Sequence, residues 1–148
     1  MNKSYKISII TVTKNSEKFL EECILSLDKQ SYRNYEHIII DGCSTDNTIN
    51  IIKKYKDKIT YWISEKDDGL YDAMNKGIKR CSGDIIGILN SDDIYYPQAL
   101  KIVNKYFTLN KELDFLFGSV NKYSLLHGYN PKKIKWTFGF YTTHSVGF

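Results

Sequence analysis

Three features of the sequence predict a doubly wound α/β fold, a mostly parallel sheet flanked by helices. Apolar, β-branched runs alternate with segments of helical periodicity through most of the chain, which is the pattern of βαβ crossovers. The run "DIIGILN" is apolar at nearly every position, as a strand covered on both faces is. The runs also end in polar clusters, and sheets of this kind bind ligands outside the carboxyl ends of their strands.

The elements follow in order. "YKISIITVT" reads as a first strand, and the polar "KNS" after it leads into a helix from Ser16 to Gln30. Phe19, Leu20, Cys23, Ile24 and Leu27 fall at helical spacing there, with Ser16 as the expected N-cap. "YEHIIID" is a second strand. "GCSTDNT" opens a helix that buries Ile49, Ile52 and Tyr55, its hydroxyls and Asp46 capping the exposed N–H groups. "ITYWIS" is a short third strand, followed by a helix from about Leu70 to Arg80 and then by the strand "DIIGILN". A further helix is expected to begin at Pro97, since proline suits a first helical turn, and "LDFLFGSV" reads as one more strand. Past about Asn121 the periodicity fades into a mixed aromatic and basic tail.

With 148 residues and 42% hydrophobic content, the chain has the size and composition of one globular domain. Its net charge of +4 comes largely from scattered lysines, "IIKKYKDK" and "NPKKIKW" being the only dense patches. That balance does not indicate nucleic acid, and it suits anionic small molecules and anionic lipid surfaces equally. Cys23, Cys43 and Cys81 are odd in number and lack metal-ligand spacing, which points to a reducing, cytoplasmic compartment. No apolar run is long enough to cross a bilayer, and "MNKSYKISII" lacks a signal peptide's apolar core. Membrane contact, at the inner face, is therefore expected to be peripheral only. There is no internal repeat, and two prolines make no linker.

The strand ends are where the chemistry concentrates. Thr11, Thr13 and Asn15 end the first, Asp41 the second, Glu65 to Asp68 the third and Ser91 to Asp93 the fourth. In "GDIIGILNSDDIYYP" the adjacent Asp92 and Asp93 repel each other unless a cation lies between them. Magnesium and manganese take one or two protein carboxylates and fill their other positions with water and phosphate oxygens, so the pair suits a metal–diphosphate complex. Blander readings stand beside these. Asp92 and Asp93 also fit a turn that caps the next helix, and Asp41 taken alone reads as a capping acid. Asp67 and Asp68 are favourable near the positive end of a helix. His144 alone reads as a surface or structural residue, Trp62 and Trp136 as packing residues, and the cysteines as small apolar fillers.

Taken together, "SIITVTKNSEKFLEECILSL", "IIIDGCSTDNT" and "SEKDDGLYDAMNKGIKRCSGDIIGILNSDD" strongly resemble the nucleotide-binding half of family-two glycosyltransferases of the GT-A fold. Enzymes that build bacterial surface polysaccharides belong to that family. The likeness runs from about Lys6 to Leu100 and rests on the order and spacing of all the motifs. It implies a Rossmann-like, nucleotide-sugar (donor) binding domain over residues 1–120, with 121–148 beginning an incomplete acceptor-side segment. The donor would be a nucleoside diphosphate sugar, by preference a UDP-sugar, the acceptor a glycan or lipid-linked molecule, and the cofactor Mn2+ or Mg2+. By the same resemblance Thr11 and Asp41 hold the base, and Thr13, Asn15, Asp68, Asn75 and Ser91 complete the nucleotide-sugar site. Asp93 is the direct metal ligand of the DXD-type segment, with Asp92 facing ribose or sugar. "HSVGF" resembles the histidine segment on the acceptor side.

Inverting members of the family use a general-base aspartate beyond that histidine segment. The resemblance therefore implies a chain truncated after its donor-binding half, with the base outside it and His144 and Asp72 only as weak substitutes. An apolar surface around Trp136 to Tyr141, left uncovered, would favour a homo-oligomer. One alternative is a catalytically silent nucleotide-sugar-binding module. A sugar-phosphate nucleotidyltransferase ranks below it, because "TVTKNSEKF" lacks that class's Gly-rich first loop. No GxGxxG follows the first strand, which disfavours a dinucleotide-dependent oxidoreductase.

Overall fold

The computed structural model describes residues 4–118. Strands β1 (Ile7–Thr13), β2 (Tyr35–Asp41), β3 (Tyr61–Ser64) and β4 (Ile85–Ile88) alternate with helices α1 (Leu20–Asp28), α2 (Thr48–Lys54) and α3 (Leu70–Ile78), and α4 (Ala99–Leu109) follows β4. The sheet order is β3-β2-β1-β4, and every pairing is parallel. After β1 the chain builds outward through β2 to β3, then returns to the other side of β1 for β4. The order reverses between β1 and β4, which is where ligands bind in open sheets of this type.

Both sheet faces are covered, which is why the strands bury apolar residues on both sides. Ile7 and Ile9 of β1 pack with Cys23 and Leu27 of α1 and Leu100 and Val103 of α4. Ile39 packs with Leu20 and Ile24 of α1 and Ile51 and Ile52 of α2. Ile10, Val12, Ile38 and Ile40 point the other way and meet Ala73 of α3. Helix α3 approaches β1 closely because Gly77 has no side chain, and a Cβ there would run into Ile10. At the amino end of the sheet, buried Glu36 accepts hydrogen bonds from Ser8 Oγ, Ser82 N and Ser82 Oγ and pairs with Lys6 at 2.7 Å. That knot ties the α3–β4 connection to β1 and β2.

Several boundaries differ from the expectation. Helix α1 starts at Leu20, not Ser16, because Ser16 to Phe19 form a turn in which Ser16 O accepts the N–H groups of Phe19 and Leu20. Pro97 lies in the turn before α4 rather than in its first helical position. Residues 113–118 form no strand beyond an isolated bridge at Phe117, and the rest of the "LDFLFGSV" run lies outside the described residues. Cys43 is exposed rather than a core filler, whereas Cys23 is buried. Trp62 packs against the α1–α2 cluster as expected. The expected boundary at 120/121, His144 and the Trp136–Tyr141 surface all lie outside the described residues. Among the described residues no helix is long and apolar enough to cross a membrane.

Candidate functional site

The polar strand ends converge on one rim. Thr13 pairs in register with Asp41, and Asp41 with Ser64. The Asp41 side chain is fully buried, and its carboxylate accepts hydrogen bonds from Ser44 N at 2.9 Å, from Ser64 Oγ at 2.6 Å and from Ser44 Oγ. It thereby fixes the loop after β2 to the end of β3. The buried Thr13 hydroxyl beside it has no hydrogen-bond partner among the described residues, a capacity that burial leaves costly unless something fills it.

The loop after β1 is bonded to the loop after β2. Asn15 takes a left-handed φ of 52° and accepts Thr45 N–H at 2.8 Å, while its own N–H donates to Ser44 Oγ at 2.8 Å. Cys43 sits opposite with φ 59°, so two non-glycine residues hold sparsely populated backbone conformations on neighbouring rim loops. The third loop approaches from β3. Asp67 accepts Gly69 N–H at 3.0 Å, and its carboxylate lies where a side chain at Gly42 would stand. Asp68, the acid singled out by the sequence, is exposed, and its N–H donates to Asp72. Asn75 is exposed on α3.

The fourth strand end lies across the switch point. Ser91 is nearly buried and shares a hydrogen bond of 2.9 Å with Ser16, which joins the β4 and β1 loops. Asn90 donates from Nδ2 to Asp93 Oδ2 at 3.1 Å and accepts Asp93 N–H at 3.1 Å. Asn90 O also accepts the Cys23 thiol at 3.5 Å. Burial pushes that thiol up to about 12, so it stays a neutral donor. Asp92 is exposed. No three His, Cys, Asp or Glu side chains gather into a metal cage among the described residues. The donor set that remains, two adjacent carboxylates with hard oxygens, fits magnesium or manganese completed by diphosphate and water.

A model of Glycosyl transferase family 2 matches residues 8–145. The chain belongs to this family. An uncharacterized glycosyltransferase of Mycobacterium tuberculosis, Rv1514c, is 39% identical over 94 residues, covering 63% of this chain and 36% of its own length. TarS, a poly(ribitol-phosphate) beta-N-acetylglucosaminyltransferase of Staphylococcus aureus, is 34% identical over 101 residues, 65% of this chain and 18% of that protein. The crystal structure of TarS 1-349 in complex with UDP-GlcNAc superposes with a TM-score of 0.64 at 31% identity, over 69% of this chain and 31% of that one. A mannosyltransferase of Pyrobaculum calidifontis shares the fold at 21% identity, with a TM-score of 0.62 over 71% of this chain and 32% of that one. The GT-A architecture is thus the chain's fold. It spans at most about a third of the length of the first two relatives.

Within this family-2 domain the residues expected to hold the base stand at different depths. Thr11 lies two residues inside β1 and is fully buried, its hydroxyl 3.0 Å from His37 Nε2 and in weaker contact with Cys23. It stands in the core, two residues short of the strand end where Thr13 pairs with Asp41. Burial holds the His37 imidazole down at about 3, so the Thr11–His37 pair is neutral. Asp72 accepts Asp68 N–H and pairs with Lys76, both through Oδ2, which together hold its carboxyl below the usual carboxylate range. Asp67, favourable by type near a helix end, is brought against Gly42 only by folding, whereas Asn90 steadies Asp93 through a local contact three residues apart. Two clefts elsewhere do not overlap the Asp92–Asp93 end. One, of about 550 Å³, is lined by Asp28, Arg33 and Lys58, with Lys58 already paired to Asp28. The other, of about 210 Å³, lies between α3 and the β3 edge, lined by Tyr61, Lys79 and Arg80 and reaching Glu65 and Lys76 behind the loop after β3.

Proposed function

We propose that this domain binds the donor of a metal-dependent, inverting glycosyltransferase that moves a sugar from a nucleoside diphosphate sugar, by preference a UDP-sugar, to a glycan or lipid-linked acceptor. A role in bacterial surface polysaccharide synthesis at the cytoplasmic face of the membrane goes with that reading. The observation that carries it is the placement of Asp92 and Asp93 at the β1/β4 switch point, on the same rim as Asp41. That TarS, a relative at 31% identity in its solved structure, was captured with UDP-GlcNAc supports the choice of nucleotide.

The residues divide the work by their chemistry. Thr13, with its unused hydroxyl, and Asp41 face the nucleoside, Asn15 holds the two loops that frame it, and Asp68, Asn75 and Ser91 are proposed contacts at the edges. Asp93, steadied by Asn90, would hold Mn2+ or Mg2+, with Asp92 beside it facing ribose or sugar. When bound, such an ion neutralises the negative charge that develops on a departing nucleoside diphosphate. Transfer also needs a base to take the acceptor hydroxyl's proton, and pairing with Lys76 makes Asp72 a weak candidate for that task.

The test is calorimetric titration of UDP, GDP and TDP with manganese, with and without chelator, together with release of UDP from UDP-sugars. Tight, chelator-sensitive UDP binding is expected. No binding of any nucleotide would remove the donor-site reading.

A further inference from the structure

The 65–72 segment gathers Glu65, Asp67, Asp68 and Asp72 into a short arc with only Lys66 among them. Such a run of like charges repels itself unless a cation is held inside it. The cation is supplied from a helical turn further on. Lys76 Nζ donates to Lys66 O at 2.7 Å and lies 3.2 Å from both Glu65 Oε1 and Asp72 Oδ2. Three acceptors use all three ammonium protons. Its two carboxylate partners hold the ends of the arc: Glu65 N–H donates to Asp41 O at 2.9 Å, and Asp72 accepts Asp68 N–H at 3.2 Å. Between those ends stands Asp67, whose carboxylate lies over Gly42.

We propose that Lys76 is a positioning residue of the donor rim, clamping the 65–69 loop so that Asp67 is presented beside Asp41. The inference rests on the reading of this rim as the donor site. Lys76 is about a quarter exposed and its carboxylate partners about two-fifths, and ion pairs so open to water add little to global stability. Their effect falls on where the loop lies. Deleting the ammonium frees the Lys66 carbonyl and leaves two carboxylates facing each other, which drives the loop away from Gly42 without unfolding the domain.

Lys76→Met and Lys76→Arg separate this role from a merely structural one. For Lys76→Met, affinities for UDP and for uridine should both fall about tenfold, the size of one lost charge-assisted hydrogen bond. Amide exchange at Asp68 and Gly69 should quicken while the melting temperature stays near wild type. Lys76→Arg should restore most of the affinity, because guanidinium also bridges a carbonyl and carboxylates. Wild-type UDP affinity in Lys76→Met would overturn the clamp, as would failure of arginine to rescue. If the unaltered chain binds no nucleotide, the donor-site reading fails, and amide exchange still decides the clamp: faster exchange at Asp68 in Lys76→Met supports it, and unchanged exchange overturns it.

Discussion

The carboxylate of Asp67 occupies the space that a side chain at Gly42 would take. The same space is bounded by Lys14, whose Cδ is 3.5 Å from where the Cβ would stand. Glycine is needed here for close approach, not for an unusual backbone angle. Gly42→Ala should push Asp67 off the rim, and since the displaced atoms are the end of a movable side chain, the cost to folding should be small. The expected outcome is a near-unchanged thermal midpoint with UDP binding weakened several-fold, read by calorimetry on the same sample. Unaltered UDP affinity would place Asp67 outside the nucleotide's reach.

Asp41→Ala should cost both stability and binding. The substitution leaves Ser44 N–H and the hydroxyls of Ser44 and Ser64 without their acceptor, and such orphaned groups cost about 1–3 kcal/mol where they stay buried. Denaturant unfolding measures that part. Because the proposed contact is with base or ribose, uridine and UDP should lose affinity by the same factor. A loss confined to the diphosphate would give Asp41 a different role.

The order of strands and helices was legible because runs such as "YEHIIID" carry their own β-propensity, and the rim was legible because polar residues close apolar runs. What escaped depended on contacts distant in sequence. Thr11 and Thr13 fall on the same face by the period of two, and only the register of β1 against β2, which runs on to Thr13–Asp41, shows which of them reaches the end. Ser16 looked like a cap by type, yet its N–H is taken by Thr48 Oγ1 and that of Glu17 by Asp46, from the first residue of α2 and the loop entering it. Those partners hold the residues before α1 in a turn. The choice between Asp67 and Asp68 likewise turns on Gly42, which only folding brings alongside.

Glu36 makes stability depend on acid. Burial alone would raise its carboxyl above the usual 4.5, but hydrogen bonds from Lys6, Ser8 and Ser82 outweigh that and hold it at about 2. A depressed folded value contributes stability that is fully present above the unfolded value and is lost as pH falls through the folded one. The loss should therefore develop between about pH 4.5 and 2, and its full size is roughly 3 kcal/mol. Urea unfolding across that window should show this slope. Glu36→Gln should be less stable at neutral pH and flatter below pH 4.5; an equal slope in the variant would assign the acid sensitivity to other carboxylates.

Asp93 is where metal dependence and nucleotide binding part company. It sits half-buried at the end of β4, with Oδ2 steadied by Asn90 Nδ2, while Asp92 next to it is exposed. A diphosphate cannot approach these carboxylates without a cation between them, whereas uridine carries no phosphate and has no such need. Chelator should therefore lower the affinity for UDP and leave that for uridine unchanged. Asp93→Asn should reproduce the chelator's effect in the presence of manganese, with the fold intact because the residue lies at a strand end outside the apolar clusters. Asn90→Ala keeps both carboxylates but frees Asp93 to turn, and the loss of such a supporting hydrogen bond typically costs about 10–100-fold in metal affinity. Its UDP affinity should recover as manganese is raised, which that of Asp93→Asn should not. If Asp93→Asn instead unfolds, the carboxylate serves as a structural turn acid. Should UDP bind equally well in chelator, the Asp92–Asp93 pair holds no metal at the diphosphate.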